Sequence, residues 1–266
     1  MLFLGILGDT RMLFDRAHCL FMAVSAAVIA LLLIGAKRFL KTDRAKDLFL
    51  KLTALAVVLV HLSPLYADFL STGEAKVASN MLFPVYPCNL AMWFLLLYAF
   101  LTDKNKLAVQ LLGEFTFYLG LVGGIIGIAA NVNYANTPDL RDWDIFAGLL
   151  SHSIMLLGCI WLLVGGYIRI RVRNTLSVFF GLLIMLLDGF LIIHIFRRSG
   201  LEPPNSMFLL GVPFERIKWL NTATIGVLSV AVTFVFTLVY EMLALPADRR
   251  TFHKKQKSTK EGNPNV

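Results

Sequence analysis

The chain has 266 residues, 58% hydrophobic and only 16% charged, with a mean hydropathy of +0.72. A soluble domain is about half apolar and a quarter charged, so this composition excludes an ordinary cytosolic globule, a disordered chain and a disulfide-stapled secreted domain; three cysteines, Cys19, Cys88 and Cys159, make no framework. The net charge of +8 does not indicate nucleic acid, because the Lys and Arg residues cluster between long apolar runs, the pattern that encodes membrane topology.

In chain order, Leu2–Leu7 comes first. It is too short to span and lacks a signal peptide's apolar centre and cleavage site, so a short interfacial helix is expected there. A helix needs about 20 apolar residues to cross roughly 30 Å of hydrocarbon. Seven segments qualify: 18–36, 48–66, 82–102, 107–130, 145–168, 176–196 and 225–245. The expected fold is all-α, a polytopic bundle of about seven transmembrane helices over residues 1–245, in the plasma membrane of a bacterial cell. The longest connection, 197–224, carries Pro203, Pro204 and the apolar run Met207–Leu210, and is expected on or dipping into one face. There is no repeat of 20–50 residues and no soluble domain. Residues 246–266 are polar and basic, a disordered cytoplasmic tail held near anionic lipid.

The regions 37–51, 104–106, 169–173 and the tail hold 17 Lys and Arg; the alternate regions hold eight. The positive-inside rule therefore puts the N-terminus outside and the C-terminus in the cytoplasm.

Polar groups in hydrocarbon are expensive, and each is a functional candidate. At 1.5 Å per residue, Cys88 and Asn89 lie roughly 9 Å below the outer end of the third span and His152 roughly 10 Å into the fifth. His61 is near the outer end of the second span, Asp188 and His194 are in the outer half of the sixth, and His18 opens the first. Asn131, Asn133 and Asn136 follow the fourth span on the same side, and only His253 is in the tail. The inner halves offer little beyond Gln110 and Glu114. Singly, such histidines and amides serve as interhelical hydrogen-bonding glue. Glue has no reason to favour one leaflet, so their clustering marks the set.

The strongest local signal is Phe83-Pro84-Val85-Tyr86-Pro87-Cys88-Asn89. Two prolines break the helix before Cys88, and Pro87 suits a first helical turn. Cys88 is then expected at a helix N-terminus, where free N–H groups and the dipole favour a thiolate. Burial in apolar surroundings opposes this, so a base is needed, and His152 lies at matching depth. Against this stands a small cysteine merely filling a helix contact, the reading kept for Cys19 and Cys159. In the fourth span Gly120-xxx-Gly124 overlaps Gly123-xxx-Gly127, allowing close helix approach within the chain or between copies. There is no P-loop, dinucleotide fingerprint, paired CxxC, HExxH or GxSxG; the last span has no lysine for a retinal Schiff base, and no ladder of charges suits ion transport. No cofactor and no metal ligand set is expected.

The stretch Phe83–Leu90 resembles the Leu-Pro-Leu-His-x-Cys motif of the YwaF/TMEM164-like family of integral membrane proteins. Asn131–Asp139, with Thr137-Pro138-Asp139, resembles its TPD-containing loop, followed by Phe146 and His152. Pro204–Leu209, with Gly211 and Pro213, resembles the segment before its last span, and Phe14 with His18 also fits. These anchors run in order over nearly the whole chain. The resemblance implies an acyltransferase-like protein acting on phospholipids through a cysteine and a histidine, roles that fall on Cys88 and His152. Tyr86 departs from the motif by standing where it has a histidine.

The expected function is a lipid acyltransferase with its site in the outer leaflet. Cys88 attacks an acyl ester to give a thioester with His152 as base, and His152 then deprotonates an acceptor such as a lysolipid. Asn89 or the nearby N–H groups would bind the oxyanion; Tyr86, His61, Asn131, Asn133, Asp188 and Asn205 would line the substrate site, with Arg141 or Arg216 on the phosphate. Expected partners are phospholipid and lysolipid, and a second copy of the chain through Gly120 and Gly124. Two further readings stay open: a non-enzymatic lipid or ligand binder of the transporter or receptor kind, and a structural partner protein packing through the fourth span.

Overall fold

A computed structural model describes residues 13–73, 79–212, 218–219, 221–246 and 250–251. The Leu2–Leu7 segment, Arg216, His253 and most of the tail lie outside the described residues. The helices are α1 (Arg16–Phe39), α2 (Asp43–Thr72), α3 (Ser79–Leu82), α4 (Pro87–Phe100), α5 (Leu107–Ala129), α6 (Val132–Asn136), α7 (Trp143–Val164), α8 (Leu176–Arg198) and α9 (Thr222–Ala244). Seven helical stretches are long and apolar enough to cross a membrane, one for each expected span, and no strand occurs among the described residues.

Local chemistry sets the helix ends. Asp15 caps α1 by accepting the His18 N–H at 2.7 Å, Thr42 caps α2 by accepting that of Ala45, and Gly73 ends α2 at φ 76, a left-handed conformation favouring glycine. Pro64 lies inside α2 and has no N–H for the Val60 carbonyl; the Ser63 hydroxyl donates to it instead at 2.7 Å. The third span is broken as the prolines demand: α3, an extended piece through Val85 and Tyr86, then α4 with Pro87 as its first residue.

α7 is the central helix, with 56% of its most apolar stretch buried, whereas α1 and α9 bury 11% each and present their sides outward. The main core joins α2, α4, α5 and α7 through Leu50, Val57, Leu95, Tyr98, Phe117, Met155, Trp161 and Leu162. The small face of α5 sets the register of its neighbours. Gly113 meets Tyr98, Gly120 meets Ala91 and Cys159, Gly123 meets Cys88, and Gly124 meets Leu156. α4 and α7 thus both run antiparallel to α5.

Gly120 and Gly124 are buried in this packing, a close helix approach made within the chain. The 200–211 connection does dip inward. Ser206 and Met207 are buried, and the Met207 N–H and Ser206 hydroxyl both donate to the Val85 carbonyl, at 2.8 and 3.3 Å. At the opposite end of the bundle Glu241 is buried and accepts from the Val172 N–H and from the N–H and hydroxyl of Thr251. The start of the expected disordered tail is therefore held to α9.

Candidate functional site

Cys88 is the second residue of α4 and half-buried. Pro87 has no N–H, and the first α4 amide to meet a backbone carbonyl is Leu90, bonded to Tyr86. The amides of Cys88 and Asn89 are thus left over by the helix. The Cys88 Cβ and Cα lie against α5, 3.3 and 3.4 Å from where a β-carbon on Gly123 would stand.

His152 comes from α7, and its ring covers Gly127, one turn along α5 from Gly123. Four residues of helix rise about 6 Å, so thiol and imidazole occupy neighbouring positions on one edge of one helix. The His152 Nδ1 donates to the Gly148 carbonyl at 2.7 Å. A carbonyl only accepts, so Nδ1 carries the proton and Nε2, at the Gly127 side, is the free base nitrogen. No hydrogen bond joins the sulfur to the ring among the described residues; substrate or water would have to complete the pair.

His61, on α2, donates from Nε2 to the Asn80 carbonyl of α3 at 3.1 Å and lies within electrostatic range of His152. Tyr86, the residue before Pro87, is exposed and stacks on Phe208 with ring centroids 5.9 Å apart.

The amides have other work. Asn89 is buried, and its Oδ1 accepts the Tyr86 N–H, capping α4. Asn131 caps α6 by accepting the Tyr134 N–H while its amide donates to the Gly127 carbonyl. Asn205 closes its own loop, accepting from Leu210 and Gly211 and donating back to the Gly211 carbonyl. All three side chains are engaged with backbone groups. Asn133 is exposed and faces an open depression shared with Asn136, Thr137, Asp142 and Asp144. Asp188 sits on α8 beside Gly189, which packs on Met207 and Leu209; the Asp188 Oδ2 is buried and finds no hydrogen-bond partner among the described residues. Arg141 is engaged bidentately with Asp139, at 3.0 and 2.9 Å. The guanidinium holds that carboxyl below its usual range.

His18 is fully buried glue. It donates from Nε2 to the Ile128 carbonyl at 2.8 Å, accepts the Phe14 N–H at Nδ1 and stacks on Tyr134. Cys159 is buried against Gly120, and Cys19 and His194 are exposed. What sequence reasoning missed is that Gly123 and Gly127 seat Cys88 and His152 and that Gly148 and Asn80 orient the two imidazoles. The overlapping glycine pairs were the visible sign of the first.

The sequence model of the TMEM164 family matches residues 13–243, and the chain belongs to that family. Neither a curated protein nor a solved structure matches the chain.

Proposed function

We propose that this member of the TMEM164 family is a membrane-embedded lipid acyltransferase working through a thioester on Cys88, with His152 as its base. One observation carries the reading: a cysteine at a helix N-terminus and a histidine with a free Nε2 occupy successive glycine seats on α5. Family membership and the expected depth, where acyl ester carbonyls lie, support it.

In the reaction, His152 Nε2 takes the thiol proton and the sulfur attacks the acyl carbonyl of a phospholipid. The amides of Cys88 and Asn89 receive the oxyanion. The proton passes to the departing lysolipid oxygen as the C–O bond breaks, leaving the thioester, which an acceptor hydroxyl then resolves. Asn133 and Asp188 remain candidates for headgroup contacts. The charge distribution supports an outward-facing position for this end of the bundle.

The test is the intact mass of protein purified with native lipid. An acyl adduct present in wild type and absent from Cys88→Ala is expected. Labelled acyl exchange between phospholipid and lysolipid in proteoliposomes completes it. No transfer across a panel of headgroups, or undiminished transfer by Cys88→Ala, would replace the enzyme with a lipid-binding protein.

A further inference from the structure

We infer that His61 is a second catalytic base of this site, the group that takes the proton from the acceptor hydroxyl when the Cys88 thioester is resolved; this rests on the acyl-transfer reading above. The placement follows from the register of α2 against α7. Near mid-bundle Thr53 meets Gly158, a β-carbon on that glycine standing 3.1 Å from the Thr53 methyl. Near the Cys88 end the Trp143 indole N–H donates to the Ser63 hydroxyl at 3.0 Å. The helices run antiparallel between these pins, so His61, eight residues up α2 from Thr53, comes level with the turn of α7 that carries Gly148 and His152. The electrostatic coupling of the two imidazoles agrees with that register.

The hydrogen bonds assign the two rings opposite tautomers. His152 gives Nδ1–H to Gly148 and keeps Nε2 as its acceptor; His61 gives Nε2–H to Asn80 and keeps Nδ1. Each ring is tied to a backbone carbonyl through one nitrogen, which leaves the other as a base. Burial alone would not require two such rings at one level. His61 also lies in the turn of α2 interrupted by Pro64, where the Val60 carbonyl has lost its amide partner to the proline and is served by Ser63. That break gives the His61 turn freedom from the regular ladder.

The chemistry moves a proton twice, and the inference divides the two transfers between the two imidazoles. In the first half His152 moves one proton from the thiol to the leaving lysolipid oxygen and ends neutral. In the second, the acceptor O–H proton passes to His61 Nδ1, the new C–O bond forms as the C–S bond breaks, and the released thiolate takes up that same proton. Thiol and both rings return to their starting state.

The experiment uses full-length protein in proteoliposomes of phosphatidylethanolamine and phosphatidylglycerol, with a radiolabelled acyl phospholipid as donor and a lysophospholipid as acceptor. His61→Gln keeps an amide donor for the Asn80 carbonyl and removes the base. The acyl-enzyme should form at the wild-type rate and accumulate, while transfer to lysophospholipid slows by about 10²-fold. Hydroxylamine, a nucleophile that needs no base, should discharge the thioester as fast as in wild type. His61→Asn, the second variant, should show the same split. Wild-type transfer by both variants overturns the inference. So does joint loss of thioester formation, hydroxylamine discharge and transfer, which marks a structural residue. A wild-type protein that forms no thioester sinks the acyl-transfer reading itself and this inference with it.

Discussion

The His152 imidazole lies so close over Gly127 that a β-carbon there would overlap its Cδ2 and Nε2. The glycine is therefore part of how the imidazole is held, and the ring cannot keep its place if the seat is filled. Cys88 stands on Gly123 less tightly: an added β-carbon would come 3.3 Å from its Cβ, a close contact that a shift of a few tenths of an ångström relieves.

Gly127→Ala should push the ring off its seat and slow acyl transfer by about 10²-fold, the usual cost of displacing a reacting group by an ångström. Gly123→Ala should cost far less. In a His152→Ala background Gly127→Ala should cost nothing further, because the space is then empty; additive losses in the double variant would break the link between the two residues. The measurement is transfer rate in proteoliposomes for wild type and the four variants.

Removing each reactive group has its own signature. Cys88→Ala should leave no thioester at any time. His152→Ala should still form it, about 10²–10⁴-fold more slowly, since a thiol without its base keeps a small thiolate fraction. Single-turnover acylation followed by mass spectrometry distinguishes the two. Equal rates for His152→Ala and wild type would remove the histidine from the mechanism.

Orientation is testable on intact cells. Thr137→Cys, in the loop before α7, should react with an impermeant thiol reagent, and Lys41→Cys, between α1 and α2, should not, each judged against the parent protein. The reverse pattern would move the site to the inner leaflet.

Asp15 ties the start of α1 to α6. It accepts the His18 N–H at 2.7 Å and the Tyr134 hydroxyl at 2.9 and 3.0 Å. The His18 amide, aided by Tyr134, holds its carboxyl below the usual range. A lowered folded-state pKa means the stabilisation is fully present above the unfolded value of about 3.9 and fades as pH falls through the lower folded value. Asp15→Ala should cost about 1 kcal/mol, the usual worth of an N-cap. In thermal melts in detergent the gap between wild type and variant should narrow below about pH 4 and stay constant from pH 6 to 8. A gap that widened with acid would contradict the cap.

The seven spans and the break before Cys88 were legible in the chain because each rests on a local cause: the length of an apolar run against the thickness of hydrocarbon, and the missing N–H of Pro87. The same holds for the glycine pairs of α5, whose close packing follows from having no side chain. Cys88 and His152 could be matched in depth by counting residues. Whether they faced a common edge could not, because depth fixes position along a helix axis and leaves rotation about it open; only the packing of α4 and α7 onto Gly123 and Gly127 decided that. The amides show the same division. Asn89, Asn131 and Asn205 lay in motifs and at the right level, yet each is consumed by a nearby backbone group. A short polar side chain in apolar surroundings bonds the closest unsatisfied N–H, and which N–H that is depends on where the chain turns. For His18 and His61 the partners, Ile128 and Asn80, belong to other helices; tertiary contact alone made one imidazole a strut and left the other a free nitrogen.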